Sequence, residues 1–182
     1  IKNGIQPIFS HDKSKVIVFN GEIYNYKELK DNLIKKKIKF ISNSDTEVII
    51  RLYEHYGEES FKMLDGMFAF SIYDKTSKKI FLVRDYFGEK PLYYKNIDGS
   101  LVWGSELKSI IKYKGENTIS TNAVRLFFCL NFIPAPFTIY NEVKKLSPNS
   151  YLTYDISSGS QKINSIKKSI NDYSNSNNFK QL

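Results

Sequence analysis

A single cysteine, Cys129, stands among 182 residues, so no internal disulfide can form and no cysteine-based metal site can assemble. A reducing compartment suits such a chain. Histidine is nearly as scarce. His11 and His55 are isolated, lack metal-ligand spacing and read as surface residues with no local partner to make either a general base. Arginine is rare too: all but three of the 27 basic residues are lysines. Recognition of phosphates and base edges favours the arginine fork. The formal net charge of +8 therefore reads as a solvated lysine surface, and no nucleic acid is expected as a partner. No apolar run reaches the length of a membrane span, and the opening Ile1 begins no signal-like segment. Neither a membrane nor an export address is expected, and the cytoplasm is the expected location. The first residue is not Met, so native N-terminal sequence is expected to be missing.

What is present suits a packed domain. Apolar residues make up 41% and aromatics 15%, chiefly 13 Tyr and 13 Phe, enough for one real core. Val16 to Phe19 reads as a strand leading into Asn20-Gly21-Glu22. Asn25 with Glu28, and Ser44 with Glu47, have the spacing of capping boxes. Tyr26, Leu29 and Leu33 line one helix, and Val48, Ile49, Leu52 and Tyr56 another, with Gly57 placed to stop it. The period then changes to two. Residues 67–73 and 79–84 form one hairpin, 91–95 and 101–105 a second, and Glu106 to Lys112 a short helix. Strands apolar on both faces need cover on both. Two stacked sheets with outer helices meet that demand.

From Glu116 the texture shifts. Residues 123–133 form an apolar helix or packing segment, after which Pro134 and Pro136 stiffen the path of the chain. After residue 155 the core pattern fades into Ser and Asn. The expected organisation is a domain over 1–115, a connecting segment over 116–156, and a linker or the start of another domain over 157–182.

Several residues invite chemistry. The Gly21 N–H beside the Asn20 amide is a workable pair of donors for an oxyanion, and a tight turn explains the same residues. Asp45 opposes the dipole of its helix, or grips a substrate ammonium. Arg84 and Asp85 suggest an ion pair tying a corner, and Asp65-Gly66 a turn. Glu106 suits a helix cap or an interdomain contact. Cys129, among Phe127, Phe128, Leu130 and Phe132, reads as a buried small hydrophobe and not a nucleophile.

In order and spacing, FNGEIYNYKEL, SDTEVIIRLYEHYG, LDGMFAFSIYD, VRDYFGEKPLYY and SELK resemble the class II glutamine amidotransferase domain of glutamine-hydrolysing asparagine synthetases, an N-terminal-nucleophile hydrolase. PAPFTIYNEVKKLSPNSYL extends the likeness into the segment that joins that domain to a synthetase domain. The resemblance implies an α+β fold: a four-layer αββα sandwich of two antiparallel sheets, here without its first strand region. It implies glutamine hydrolysis, with ammonia passed internally to aspartate activated by ATP and Mg in a C-terminal domain. By likeness, Asn20 and Gly21 form the oxyanion hole, Glu22 helps bind glutamine, and Asp45 holds its α-ammonium. No cofactor or metal is implied for these 182 residues. Pairing into a homodimer is left open. So are two alternatives: amidation of another carboxylate, such as a sugar acid, and a non-catalytic binding module.

The departures from the family pattern are specific. Its nucleophile is a cysteine at residue one whose own amine acts as base, whereas this chain opens with Ile1. The arginine-bearing stretch that binds the substrate carboxylate is expected upstream of Gly4-Ile5-Gln6-Pro7. Glu89 replaces a usual apolar residue, Asn131 a common glycine and Phe137 a common arginine. The piece is expected to be truncated at both ends and inactive alone.

Overall fold

The structure, a computed structural model, describes residues 5–167. In chain order its elements are β1 (Ile8–Phe9), β2 (Lys15–Ile23), α1 (Tyr26–Lys35), α2 (Asp45–Tyr56), a 3-10 helix (Gly57–Met63), β3 (Gly66–Asp74), β4 (Lys79–Arg84), β5 (Tyr93–Ile97), β6 (Ser100–Gly104), α3 (Leu107–Ile111), α4 (Thr121–Leu130), β7 (Lys144–Lys145), β8 (Ser150–Asp155) and β9 (Gln161–Ser165). Every recorded strand pairing is antiparallel. The strands form a six-stranded sheet, β1-β2-β3-β4-β8-β9, and a three-stranded sheet, β6-β5-β7.

The period-two pattern of the central strands separates two cores. Phe68, Phe70 and Ile72 of β3, with Phe81 and Val83 of β4, join Leu29, Leu33 and the apolar face of α2. The intervening residues Ala69 and Leu82 join Leu152 and Tyr154 of β8, and meet Tyr94 and Leu101 of the smaller sheet. A fully buried Phe, Ile or Leu contributes roughly 1.5–3 kcal/mol, which explains why β3 and β4 are apolar on both faces. Tyr53, Phe61, Phe70, Phe81 and Tyr151 pack as an aromatic cluster on the helix side. On the far side α3 lies on the outer face of the small sheet, so close that a Cβ on Gly104 would stand 2.9 Å from Ser109 Oγ. The layers are helices, sheet, sheet, helix, as the expected αββα sandwich requires.

Several local expectations change. The Asn20-Gly21-Glu22 triplet is neither a turn nor a strand end, because β2 continues through it to Ile23. Asn25 occupies the N-cap of α1 without a side-chain cap bond. Its amide instead donates to Met63 O at 2.9 Å and accepts from Asp65 N at 3.1 Å, tying the entry to β3. Ser44 does cap α2, accepting from Thr46 N at 3.2 Å, but Glu47 reaches back to Ile41 and Ser42 and not to Ser44. Arg84 and Asp85 are not an ion pair among the described residues. The guanidinium donates to Lys90 O, Leu146 O and Gly88 O, whereas the carboxylate accepts from the N–H groups of Phe68, Phe87, Glu89 and Lys90. Each ties the 85–90 corner separately. Burial pushes the Arg84 guanidinium pKa down.

The C-terminal third also differs from its composition. β7 and β8 complete both sheets, so the change of texture at Glu116 marks no structural seam. Gln161–Ser165 is a strand paired with β8, and Ile166 is buried behind it; the expected linker character from 157 onwards does not extend to these residues. Residues 168–182 lie outside the described residues. On α4 only Ala123 is buried. Phe127, Phe128, Leu130 and Phe132 are exposed, and so is Cys129, contrary to its reading as a buried hydrophobe. Asn131 takes φ +60 as the left-handed C-cap of α4, a conformation in which glycine carries no steric cost. His11 and His55 are exposed, as expected. Glu106 sits at the N-cap of α3 without a side-chain cap bond and pairs with Lys108 at 2.8 Å.

Candidate functional site

Backbone groups of a strand point alternately to its two edges. On β2, Ile17 faces β1, where it pairs with Ile8. The Phe19 N–H and C=O are both taken by the side chain of Gln6, at 2.6 and 2.8 Å. Ile23 N–H donates to Asp45 Oδ2 at 3.2 Å. Tyr24 N–H turns the other way, to Asp65 O at 2.7 Å. Gly21 shares the parity of Phe19 and Ile23, so its N–H and C=O face the same outer edge. Among the described residues no side chain or loop carbonyl takes that N–H. Among the described residues the edge is occupied at Phe19 and Ile23 and open at Gly21.

Side chains of alternate parity complete the surroundings. Asn20 and Glu22 are exposed on the inter-sheet face of β2, beyond the cover of the small sheet. Asn20 Nδ2 makes one long bond, 3.4 Å, to Ser105 Oγ just past β6. Glu22 makes no side-chain hydrogen bond among the described residues. Asp45 is half-buried as the first residue of α2, where its Oδ1 also accepts from Thr46 N at 2.8 Å. A carboxylate is favoured there by the helix dipole. Asp45 is thus held at the outer edge of β2 two residues beyond Gly21, while the Asn20 side chain turns toward Ser105. Glu22 lies beside them, its carboxylate free in solvent.

The glycine has a second explanation that sequence reasoning missed. Gly21 has φ +146, and a Cβ there would stand 2.1 Å from Met67 O and 2.7 Å from Phe68 Cα. Gly66 across the ladder meets Glu22 O at 2.2 Å in the same way. The two glycines let β2 and β3 approach closely, so the fold demands Gly21 whatever its N–H does. Two concavities among the described residues lie elsewhere. One of about 270 Å³ is lined by Ile8, Ile41 and Glu47, and one of about 520 Å³ by His11, Lys39 and His55. Neither includes Asn20, Gly21, Glu22 or Asp45. Volume alone gives no oriented donors, and the strand edge does.

Comparison with known proteins places the chain in a family. Residues 1–164 match the family model described as "Glutamine amidotransferase domain". The chain belongs to that family. Asparagine synthetase [glutamine-hydrolyzing] 1 of Bacillus subtilis is 41% identical over 153 residues, 84% of this chain and 24% of the relative. Putative asparagine synthetase [glutamine-hydrolyzing] 2 of Methanocaldococcus jannaschii is 42% identical over 144 residues, 78% of this chain and 27% of the relative. The amidotransferase domain therefore spans about a quarter of the length of these relatives. Among solved structures, the glutamine phosphoribosylpyrophosphate amidotransferase of B. subtilis in complex with ADP and GMP superimposes with a TM-score of 0.63. The identity is 20%, with 91% of this chain and 32% of the other covered. That likeness carries the fold alone: the stacked antiparallel sheets of this amidotransferase domain recur in a chain of very different sequence.

Proposed function

We propose that this amidotransferase domain binds glutamine at the β2 edge and serves as the glutaminase part of an asparagine synthetase. The observation that carries the reading is the Gly21 N–H, without a partner among the described residues, next to Asn20 and two residues from the Ile23 N–H that Asp45 holds. In amide hydrolysis a thiolate attacks the side-chain carbonyl carbon, and the carbonyl oxygen becomes an oxyanion. The C–N bond then breaks as its nitrogen takes a proton, ammonia leaves, and water hydrolyses the remaining thioester to glutamate and free thiol. Asn20 Nδ2 and the Gly21 N–H are the donors assigned to that oxyanion; one such donor is worth about 2.7–4 kcal/mol in a transition state. Asp45 is assigned to the α-ammonium, with Glu22 beside it.

Cys129 does not supply the thiol in this reading. It lies on α4, which makes no recorded side-chain hydrogen bond to β2. The 182-residue chain by itself is therefore expected to release no ammonia from glutamine. ATP, Mg and aspartate belong, on this reading, to a synthetase domain of the whole protein, and its cytoplasmic setting keeps the exposed thiol reduced. The apolar side chains Phe127, Phe128, Leu130 and Phe132 suit packing against such a domain.

The test is a titration of the ¹⁵N-labelled chain with L-glutamine. Perturbation of the Gly21, Glu22 and Asp45 amides, absent with L-glutamine amidated at its α-carboxyl and N-acetylated, is the expected result. No response at these amides at millimolar glutamine would overturn the assignment. Steady ammonia release by the 182-residue chain would overturn the exclusion of Cys129.

A further inference from the structure

The residue facing Phe19 across β1 and β2 is set by register. Ile8 pairs with Ile17 and Phe9 with Val16, so the next outward-facing position of β2, Phe19, falls opposite Gln6. The backbone pairing of β1 with β2 ends at Ile8. The Gln6 side chain fills the place instead. Its carboxamide carries one acceptor and two donors in a plane, much as a peptide group does. Oε1 accepts from Phe19 N–H at 2.6 Å and Nε2 donates to Phe19 O at 2.8 Å. A side chain thus stands in for one residue of a neighbouring strand.

The next position along that edge is Gly21, and the one after it, Ile23, has its N–H taken by Asp45. A free strand edge invites another strand. Among the described residues two side chains, from opposite ends of the opening, confine it to one N–H and one C=O. Gly21 is also the residue of β2 with most conformational freedom in the vicinity, at φ +146 with no side chain to fix it. Its N–H direction is set by its neighbours, and on the outer edge its nearest fixed neighbours are Phe19 and Ile23.

We propose that Gln6 is a positioning residue: by clamping both backbone groups of Phe19 it aims the Gly21 N–H outward and keeps the opening one residue wide, fitted to a free amino acid and not to a peptide strand. The inference rests on the glutamine-binding reading of the Gly21 edge. It concerns a residue that would touch no substrate and would act only through the backbone of β2.

The test compares the unsubstituted chain with Gln6→Ala and Gln6→Glu. Gln6→Glu keeps an acceptor for Phe19 N–H but loses the donor to Phe19 O, and it is the variant to read if Gln6→Ala does not fold. Amide hydrogen exchange, the free-state ¹⁵N shift of Gly21, thermal unfolding and glutamine affinity are measured on each. Loss of a bond pair of this kind is expected to weaken glutamine binding about fivefold. Gly21 and Phe19 exchange should quicken, and Gln6→Glu should fall between the other two. Equal glutamine affinity in all three, with only Phe19 exchange accelerated, would reduce Gln6 to a strand-end plug and overturn the proposal. No glutamine response in the unsubstituted chain would overturn the binding reading and this one together, so the two failures are separable.

Discussion

Asp45 Oδ2 accepts the Ile23 N–H at 3.2 Å, joining the first residue of α2 to the last residue of β2. The bond fixes a carboxylate beside the open Gly21 edge and does so from an element 22 residues further along the chain. Asp45→Asn keeps an oxygen for Ile23 or Thr46 but removes the charge. It should therefore fold, with stability lowered by about 1 kcal/mol, and lose glutamine affinity by more than about tenfold, the scale of a charged hydrogen bond. Chemical denaturation and a glutamine titration check the two effects separately.

Gly21→Ala should be among the most damaging substitutions in the chain. The added methyl meets the β3 backbone at 2.1 Å, where no flexible side chain can yield, and φ +146 strains any L-residue. Backbone strain and overpacking together are expected to cost about 2–6 kcal/mol. Gly66→Ala, at a residue with no donor role assigned, should cost a similar amount, because its Cβ meets Glu22 O at 2.2 Å. Equal loss of stability in both, measured in denaturant, shows that the glycine pair serves the β2–β3 ladder.

Legibility in the sequence followed periodicity. β4 has the expected bounds, and α2 runs to Gly57, whose φ +60 ends it. Both are long, strongly patterned segments. The continuation of β2 through Asn20 and Glu22 was hidden because those polar side chains lie on the inter-sheet face where it extends past the small sheet. Gln6 was invisible for a different reason: a side chain imitating a peptide group leaves no trace in hydropathy. β9 is polar in composition and owes its place to pairing with β8 and to the burial of Ile166. The exposed aromatics of α4 show the converse limit, since apolar periodicity identifies a face that seeks cover without saying what covers it.

Arg84 illustrates a buried cation held by carbonyls. Its guanidinium meets three backbone oxygens, of Lys90, Leu146 and Gly88, and thereby links β4, the 85–90 corner and the chain after β7. Arg84→Lys presents a single ammonium in place of a fixed planar fork and cannot reach all three. A loss of about 2–4 kcal/mol is expected from the carbonyls left without partners, read as a lower denaturant midpoint.

Glu47 should make the Asp45 region sensitive to acid. Burial opposes its ionisation, but the Ser42 hydroxyl, the N–H groups of Ile41 and Ser42, and Arg51 outweigh that and hold its pKa below the ordinary carboxylate value. The bonds are short, 2.6 Å from both the N–H and the hydroxyl of Ser42 and 2.9 Å from Ile41 N. A group with a depressed folded pKa contributes stability above its unfolded pKa and loses it as pH falls through the folded one. The contribution is thus complete at neutral pH and fades below about pH 4.3, the usual glutamate value. Glu47→Gln removes this proton linkage and leaves Arg51, only 3% exposed, with Glu54 as its remaining acidic partner. The variant should be less stable at pH 7, and its stability should fall less steeply than that of the unsubstituted chain as pH drops from 5 to 3. Parallel pH profiles for the two proteins would show that the Glu47 carboxylate does not carry the linkage.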